Sequence, residues 1–370
     1  MADSKRAESK HDEVSADSKR ADQQRNDGSG NDNRNFGSIH TGVNDAGSRH
    51  AGSKPFDWVR VFRTYGTLIA GGLIAAAFSI LSPDSFATID NLINITRQIA
   101  LLVIIATGAT LVMSVGEFDL SIGTVASFGG VFAAILAVEG YPLAVAFLVP
   151  LVFAFVIGYM NGWIVTRFRL LSFVATLAMG TMIGGVNFWM TGGATVFQDI
   201  PGGFRFLGQT MIGGVPLLSF IMLLVTVVFW YVMSHTTFGR KLYAIGGNEA
   251  ASRIAGVNVR RYKNLAFALC SVLAAFTGML LASRLGSAHP TGGEGLFLTA
   301  YAAVFLGMTT FRNGVPNVWG TFVGAAILGI LANGLTILHV PSYMQDIITG
   351  CIIIAAILLQ KLGRDSASGI

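Results

Sequence analysis

From about Gly66 to Gln360 this chain is a succession of apolar runs of close to helix-spanning length, separated by short polar breaks. A helix needs about 20 mostly apolar residues to cross roughly 30 Å of hydrocarbon, where its backbone must be hydrogen-bonded internally. Ten such crossings are predicted, at residues 66–82, 96–115, 119–138, 143–166, 170–191, 215–234, 264–283, 296–311, 317–338 and 342–360. The third is Gly-rich and the eighth short; should one be re-entrant, its partner is expected to be so too, leaving eight crossings and much the same loop sides. Residues 1–54 break the pattern. They are rich in Ser, Asp, Asn, Gly, Lys and Arg, and ordering them would cost backbone entropy that no apolar burial offsets. The expected organisation is therefore a disordered cytoplasmic tail, 1–54, read as a solvated appendage or a docking arm, followed by a transmembrane domain, 55–365. The tail is not a secretory signal, because its charged stretch is too long and no apolar core with a small-residue cleavage site follows it directly.

Composition places the body in a bilayer. Hydrophobic residues make up 52%, charged residues 12%, and the mean hydropathy is +0.61, whereas an average soluble domain carries about 25% charge. Acids and bases balance within residues 1–54, so the formal net charge of +5 belongs to the membrane body. Cytosolic loops collect Lys and Arg. With the N-terminus in the cytosol, the inner side holds fourteen from Lys54 onward: Lys54, Arg60, Arg63, Arg167, Arg169, Arg240, Lys241, Arg253, Arg260, Arg261, Lys263, Arg312, Lys361 and Arg364. The outer side holds three, Arg97, Arg205 and Arg284. That contrast survives only for an even number of crossings with both termini cytoplasmic, and it makes the basic balance a matter of topology, with no nucleic-acid partner. Cys270 and Cys351 each sit in an apolar run and read as small buried hydrophobes.

The longest inner loop, from His235 to Lys263, carries the run Gly246-Gly247-Asn248-Glu249-Ala250-Ala251. Ala, Glu and Arg favour helix and Gly256 is placed to stop it, which predicts a short helix at the membrane surface, either a lever for a cytosolic partner or a solvated linker. A second inner feature, Val115-Gly116-Glu117-Phe118-Asp119-Leu120-Ser121, sets two carboxylates two residues apart where two apolar helices join. Such charges are costly unless they face water or a partner. With no His or Cys cluster beside them, metal or acid/base chemistry competes with a helix N-cap role for Asp119, and Glu117 stays open. Asp346, Glu139 and Glu294 are the other acids of note, and Asn161, Asn187 and Asn333 can either bond between helices or line a polar path. Gly180 with Gly184, and Gly320 with Gly324, are small-xxx-small pairs that let backbones approach, and the long outer loop from Gly192 to Gly214 carries Phe197, Phe204 and Phe206. The chain has no Gly-Lys pair, hence no Gly-x-x-x-x-Gly-Lys phosphate loop, and no His-Glu-x-x-His, Gly-x-Ser-x-Gly or Cys-x-x-Cys. Nothing marks it as an enzyme.

Three stretches and two residue pairs together carry a family resemblance. They are Gly116-Glu117-Phe118-Asp119-Leu120-Ser121-Ile122-Gly123, Thr237-Phe238-Gly239-Arg240 leading into Ala244 to Val257, Ala282-Ser283-Arg284-Leu285-Gly286-Ser287-Ala288-His289-Pro290, and the pairs Asn161-Gly162 and Asn333-Gly334. Over residues 60–360 the chain resembles the membrane permease subunits of ribose-type ABC importers, which move monosaccharides and related polyols. The resemblance implies an all-α membrane protein of ten transmembrane helices in which the second to fifth and seventh to tenth form inverted four-helix repeats. It implies that Asn248, Glu249, Ala250, Ala251, Arg253 and Gly256 form a coupling helix seated in an ATPase subunit. A second permease copy, a periplasmic sugar-binding protein and membrane lipids complete the partners, and ATP and Mg sit on the ATPase, none on this chain. Glu117, Phe118, Asp119, Asn187 and Asn333 are the expected lining of the translocation path, and the bacterial inner membrane the expected location. The chain departs from the family pattern at Glu117 and in having four residues, not three, between Ala251 and Gly256. The rival class, an ion-coupled secondary carrier, needs essential intramembrane carboxylates, for which Glu117, Asp119 and Asp346 are the candidates.

Overall fold

A computed structural model describes residues 58–310, 314–352 and 354–355, with residues 58–66 described by backbone alone. The expected tail, the loop cation Arg312, the last residues of the tenth crossing, Lys361 and Arg364 lie outside the described residues.

All ten predicted crossings with described residues are helical. The first, α1 (Trp58–Leu81), begins well before its predicted start at 66, and a one-turn helix α2 (Pro83–Phe86) leads to α3 (Ile89–Met113). Then come α4 (Ile122–Val138), α5 (Leu143–Phe168) and α6 (Ser172–Thr191). The long loop that follows folds as a 3-10 turn, a one-turn helix α7 (Phe206–Gln209) and a small hairpin of β1 (Met211–Ile212) and β2 (Val215–Pro216), which pair antiparallel with Ile212 opposite Val215. Beyond it, α8 (Leu217–His235) and α9 (Thr237–Gly247) precede the stub α10 (Glu249–Ile254), and α11 (Val259–Leu285), α12 (Glu294–Met308), α13 (Val318–Ile337) and a last helix α14 at residues 342–352 complete the fold. Six helices among the described residues are long and apolar enough to cross a membrane.

The third and eighth crossings are the short ones. Helix α4 has 17 residues and α12 has 15, which at about 1.5 Å per residue reach roughly 25 Å and 22 Å. Each therefore starts inside the bundle and not at its edge. Their first turns touch: Gly123 lies against Gly293 and Glu294, and the N–H of Gly293 donates to Ser127 Oγ at 2.9 Å. An offset of five crossings relates the two, and the same offset relates their neighbours. Helix α11 packs on α4 and α5, while its counterpart α3 packs on α12 and α13. Two inverted sets of helices thus share one core, centred on α3, buried through its middle, and on α11, buried for most of its length.

Glycines set how close these helices come. A Cβ on Gly278 of α11 would meet the backbone of Ala126 in α4, and Gly158 and Gly162 of α5 leave no room for one against Phe267, Ser271 and Asn264 of α11. Gly320 and Gly324 of α13 press on Gly307 and Ala303 of α12 as the small-xxx-small pattern predicts, whereas Gly180 and Gly184 meet only Ser121 and Thr124 at ordinary or slightly tight distances. The closest approaches thus include a second glycine pair in i, i+4 spacing, Gly158 and Gly162.

Candidate functional site

Helix α3 ends at a left-handed turn at Gly116, with φ of +78°, and α4 does not begin until Ile122. The break between them is partly buried, with Asp119 and Ser121 enclosed, so its backbone N–H groups need partners away from water. Those of Gly116 and Glu117 return to the carbonyls of Met113 and Val112, and those from Phe118 to Ser121 each find a side chain. Phe118 N–H donates to Ser172 Oγ (3.2 Å), Asp119 N–H to Tyr301 Oη (2.7 Å), and Leu120 N–H to Thr176 Oγ1 (2.9 Å). Ser121 N–H donates to Asp119 Oδ1 (2.9 Å), and the Tyr301 hydroxyl donates onward to the Asp119 carbonyl (3.1 Å). Asp119 therefore turns the chain ahead of α4, and Ser121, not Asp119, holds the N-cap position. The Asp119 carboxylate is fully buried, and its Oδ2 finds no hydrogen-bond partner.

The remaining expected path residues divide. Phe118 is partly open and packs on Tyr301 and Phe305 of α12, with ring centroids 5.5 Å and 6.2 Å apart. Phe118, Glu117, Phe305, Met308, Gly246 and Pro316 line a cleft of about 510 Å³. Asn187 and Asn333, by contrast, tie helices together. Asn187 donates from Nδ2 to the carbonyls of Thr124 and Pro290, and Asn333 exchanges two 3.0 Å amide bonds with Asn91 of α3. Asn161 donates to Ser121 Oγ at 2.9 Å. Asp346 is exposed on α14.

The stub α10 is capped at both ends. Asn248 Oδ1 accepts the N–H of Ala251 at 2.9 Å, and Gly256, with φ of +80°, closes the C-terminus while Val257 N–H returns to the Ser252 carbonyl. Such a left-handed closure suits glycine, because an L side chain there costs about 1–2 kcal/mol. Glu249 pairs with Arg253 one turn on (2.7 Å) and with Lys263 Nζ of α11 (2.7 Å). Lys263 also reaches Glu117 Oε1 at 2.6 Å. The hydrogen bond from Lys263 holds the Glu249 carboxyl below the usual glutamate range, helped by the nearby charges of Lys263 and Arg253. Ile254 at the end of the stub is 89% exposed, the most open of the large apolar side chains described.

These contacts sort the loops into two ends. One end gathers the break after α3, the α5–α6 turn with Arg169, the stub with Arg253, and Arg260 and Lys263. The other gathers Arg97 beside Met211, Arg205 beside Gly286, and Arg284 beside Gly208. The division is the one the charge distribution predicts. Sequence reasoning had counted Lys263 only as an inner cation and had not singled out Tyr301, Ser172 or Thr176. Their partners in the break after α3 lie 54 to 182 residues away, and no local signal joins them.

Buried inverted helix sets, two shortened helices meeting at their first turns and a capped surface stub define a multi-pass membrane transport component. The chain belongs to the family described as branched-chain amino acid transport system / permease component, matched over residues 91–357. It is 41% identical over 299 residues to the ribose import permease protein RbsC of Escherichia coli (strain K12), covering 80% of this chain and 92% of that protein. It is 36% identical to the RbsC of Bacillus subtilis (strain 168), covering 81% and 94%. The D-allose transport system permease protein AlsC of Escherichia coli (strain K12) is 30% identical, covering 84% and 95%. No solved structure matches the chain.

Proposed function

We propose that this chain is the membrane permease subunit of an ATP-driven monosaccharide importer. The observation that carries the reading is the 41% identity to a ribose import permease across nearly its whole length. The family's own description names branched-chain amino acids, but a relative matched over 92% of its length at this identity speaks more directly to the solute than a broad family heading. The stub supports the mechanical half of the reading. A six-residue helix, capped at both ends, ion-paired at its base and carrying an exposed Ile254, is a rigid projection with an apolar tip. Such a projection fits a groove in a cytosolic ATPase, with Asn248, Glu249, Ala250, Ala251, Arg253 and Gly256 forming it. ATP and Mg belong to that partner, since this chain has no phosphate-cradling loop. A periplasmic sugar-binding protein delivers the solute, a second permease copy completes the path, and the chain lies in the bacterial inner membrane with both termini cytoplasmic.

The test is uptake of radiolabelled D-ribose, D-allose and D-xylose by cells carrying the complete importer. Wild type is expected to accumulate at least one of them. Glu249→Gln and Gly256→Val are expected to lower that uptake tenfold or more, about 1.4 kcal/mol or greater in coupling, with membrane insertion and the affinity of the binding protein for sugar unchanged. Normal uptake by both variants refutes the coupling assignment.

A further inference from the structure

We infer that Lys263 is a positioning residue, a latch that carries movement of the stub α10 to the chain break between α3 and α4. The inference deepens the function proposed above and rests on it. One ammonium serves two carboxylates: Lys263 Nζ stands 2.6 Å from Glu117 Oε1 and 2.7 Å from Glu249 Oε2. Glu249 is the first residue of the stub. Glu117 directly precedes Phe118, whose ring lines the cleft against Phe305. Lys263 itself rides on α11, against which α3, α4 and α5 all pack.

Burial separates this pair from an ordinary surface bridge. The Lys263 side chain is 10% exposed and that of Glu117 17%, whereas Arg253, the other partner of Glu249, is 60% exposed. Exposed pairs contribute little and are screened, while shielded ones persist and are costly to break on one side. A second link lies beside the first. Gly246, at the end of α9, leaves no space for a side chain against the carbonyl of Ser114, so the helix leading to the stub also bears on the start of the break. Displacement of the stub therefore reaches Glu117 by a charged tie and Ser114 by direct contact. Phe118 and Asp119 come next in the chain, and because their N–H groups bond single side chains of α6 and α12 and not a continuous helix, a shift of Glu117 passes into them and onto those two helices.

The complete importer in proteoliposomes tests this, with whichever of D-ribose, D-allose or D-xylose the wild type moves as the solute and the ratio of sugar moved to ATP hydrolysed as the readout. Glu117→Gln is expected to leave ATP hydrolysis running and to lower the ratio about tenfold. Lys263→Met should do at least as much, the double variant no more than Lys263→Met alone, and Lys263→Arg should hold the ratio near wild type. An unchanged ratio in Glu117→Gln, or losses that multiply in the double variant, overturns the latch while leaving the importer reading intact. Variants that lose membrane yield while the importer that does assemble keeps the wild-type ratio assign the pair to folding and also overturn it. A wild type that accumulates sugar with no ATP hydrolysed overturns the importer reading and the latch together.

Discussion

Glu249 stands at the junction of two demands, capping the charge of Lys263 and opening the stub, and its protonation decides whether both are met. Its carboxyl titrates below the ordinary range because Lys263 hydrogen-bonds the charged form. A group with a lowered folded-state pKa contributes stability that is present above its unfolded value and lost as pH falls through the folded one. The expected outcome is a difference in thermal unfolding between wild type and Glu249→Gln, in detergent, that holds from neutral pH down to the free glutamate value of about 4.3 and disappears below it. Because the Glu249 side chain is 42% exposed, the difference should also shrink in high salt. A difference that grows on acidification contradicts the pairing. Most residues of this network were invisible as a network beforehand: Glu117 and Glu249 were each singled out, but a cation 146 residues from one and 14 from the other gives no sequence signal of joining them.

Helices were the legible level. Lipid leaves a spanning backbone no alternative to internal hydrogen bonding, so apolar length alone located the crossings, and the two expected to be Gly-rich or short are the two shortened helices α4 and α12. What apolar length cannot convey is which glycines face a neighbouring backbone. Gly278 and Gly185 look alike as letters in an apolar helix, yet a Cβ at 278 would collide with the Ala126 carbonyl and one at 185 meets nothing within 4 Å. Gly278→Ala is therefore expected to destabilise the purified protein by about 1–3 kcal/mol, since backbone cannot yield as a flexible side chain does. Gly185→Ala should be neutral or stabilising by about 0.5–1 kcal/mol, because it removes only conformational freedom from a helix. Thermal unfolding in one detergent compares the two, and equal effects would mean that α4 and α11 are not in backbone contact.

At the scale of the whole molecule, the asymmetry of charge distinguishes the two ends of the bundle, and under the proposed function the basic end is the one that meets the ATPase. The break after α3 and the stub share the basic end, and the hairpin of β1 and β2 lies with Arg97 at the other. Sidedness follows if basic loops are cytosolic. In a chain with Cys351 replaced by Ser, a cysteine at Ile212, 51% exposed, is expected to react with a membrane-impermeant maleimide on cells whose outer membrane alone is opened. A cysteine at Ile254, 89% exposed, is expected to react only once the inner membrane is breached. The same cysteine should lose its reactivity when the ATPase is present and regain it when the ATPase is stripped away, because an apolar tip lodged in a groove is shielded from the reagent. Labelling of Ile254→Cys from outside would reverse the topology. Labelling from inside that ignores the ATPase would keep the topology and detach the stub from its motor, so the two halves of the functional reading are separable by one pair of cysteines.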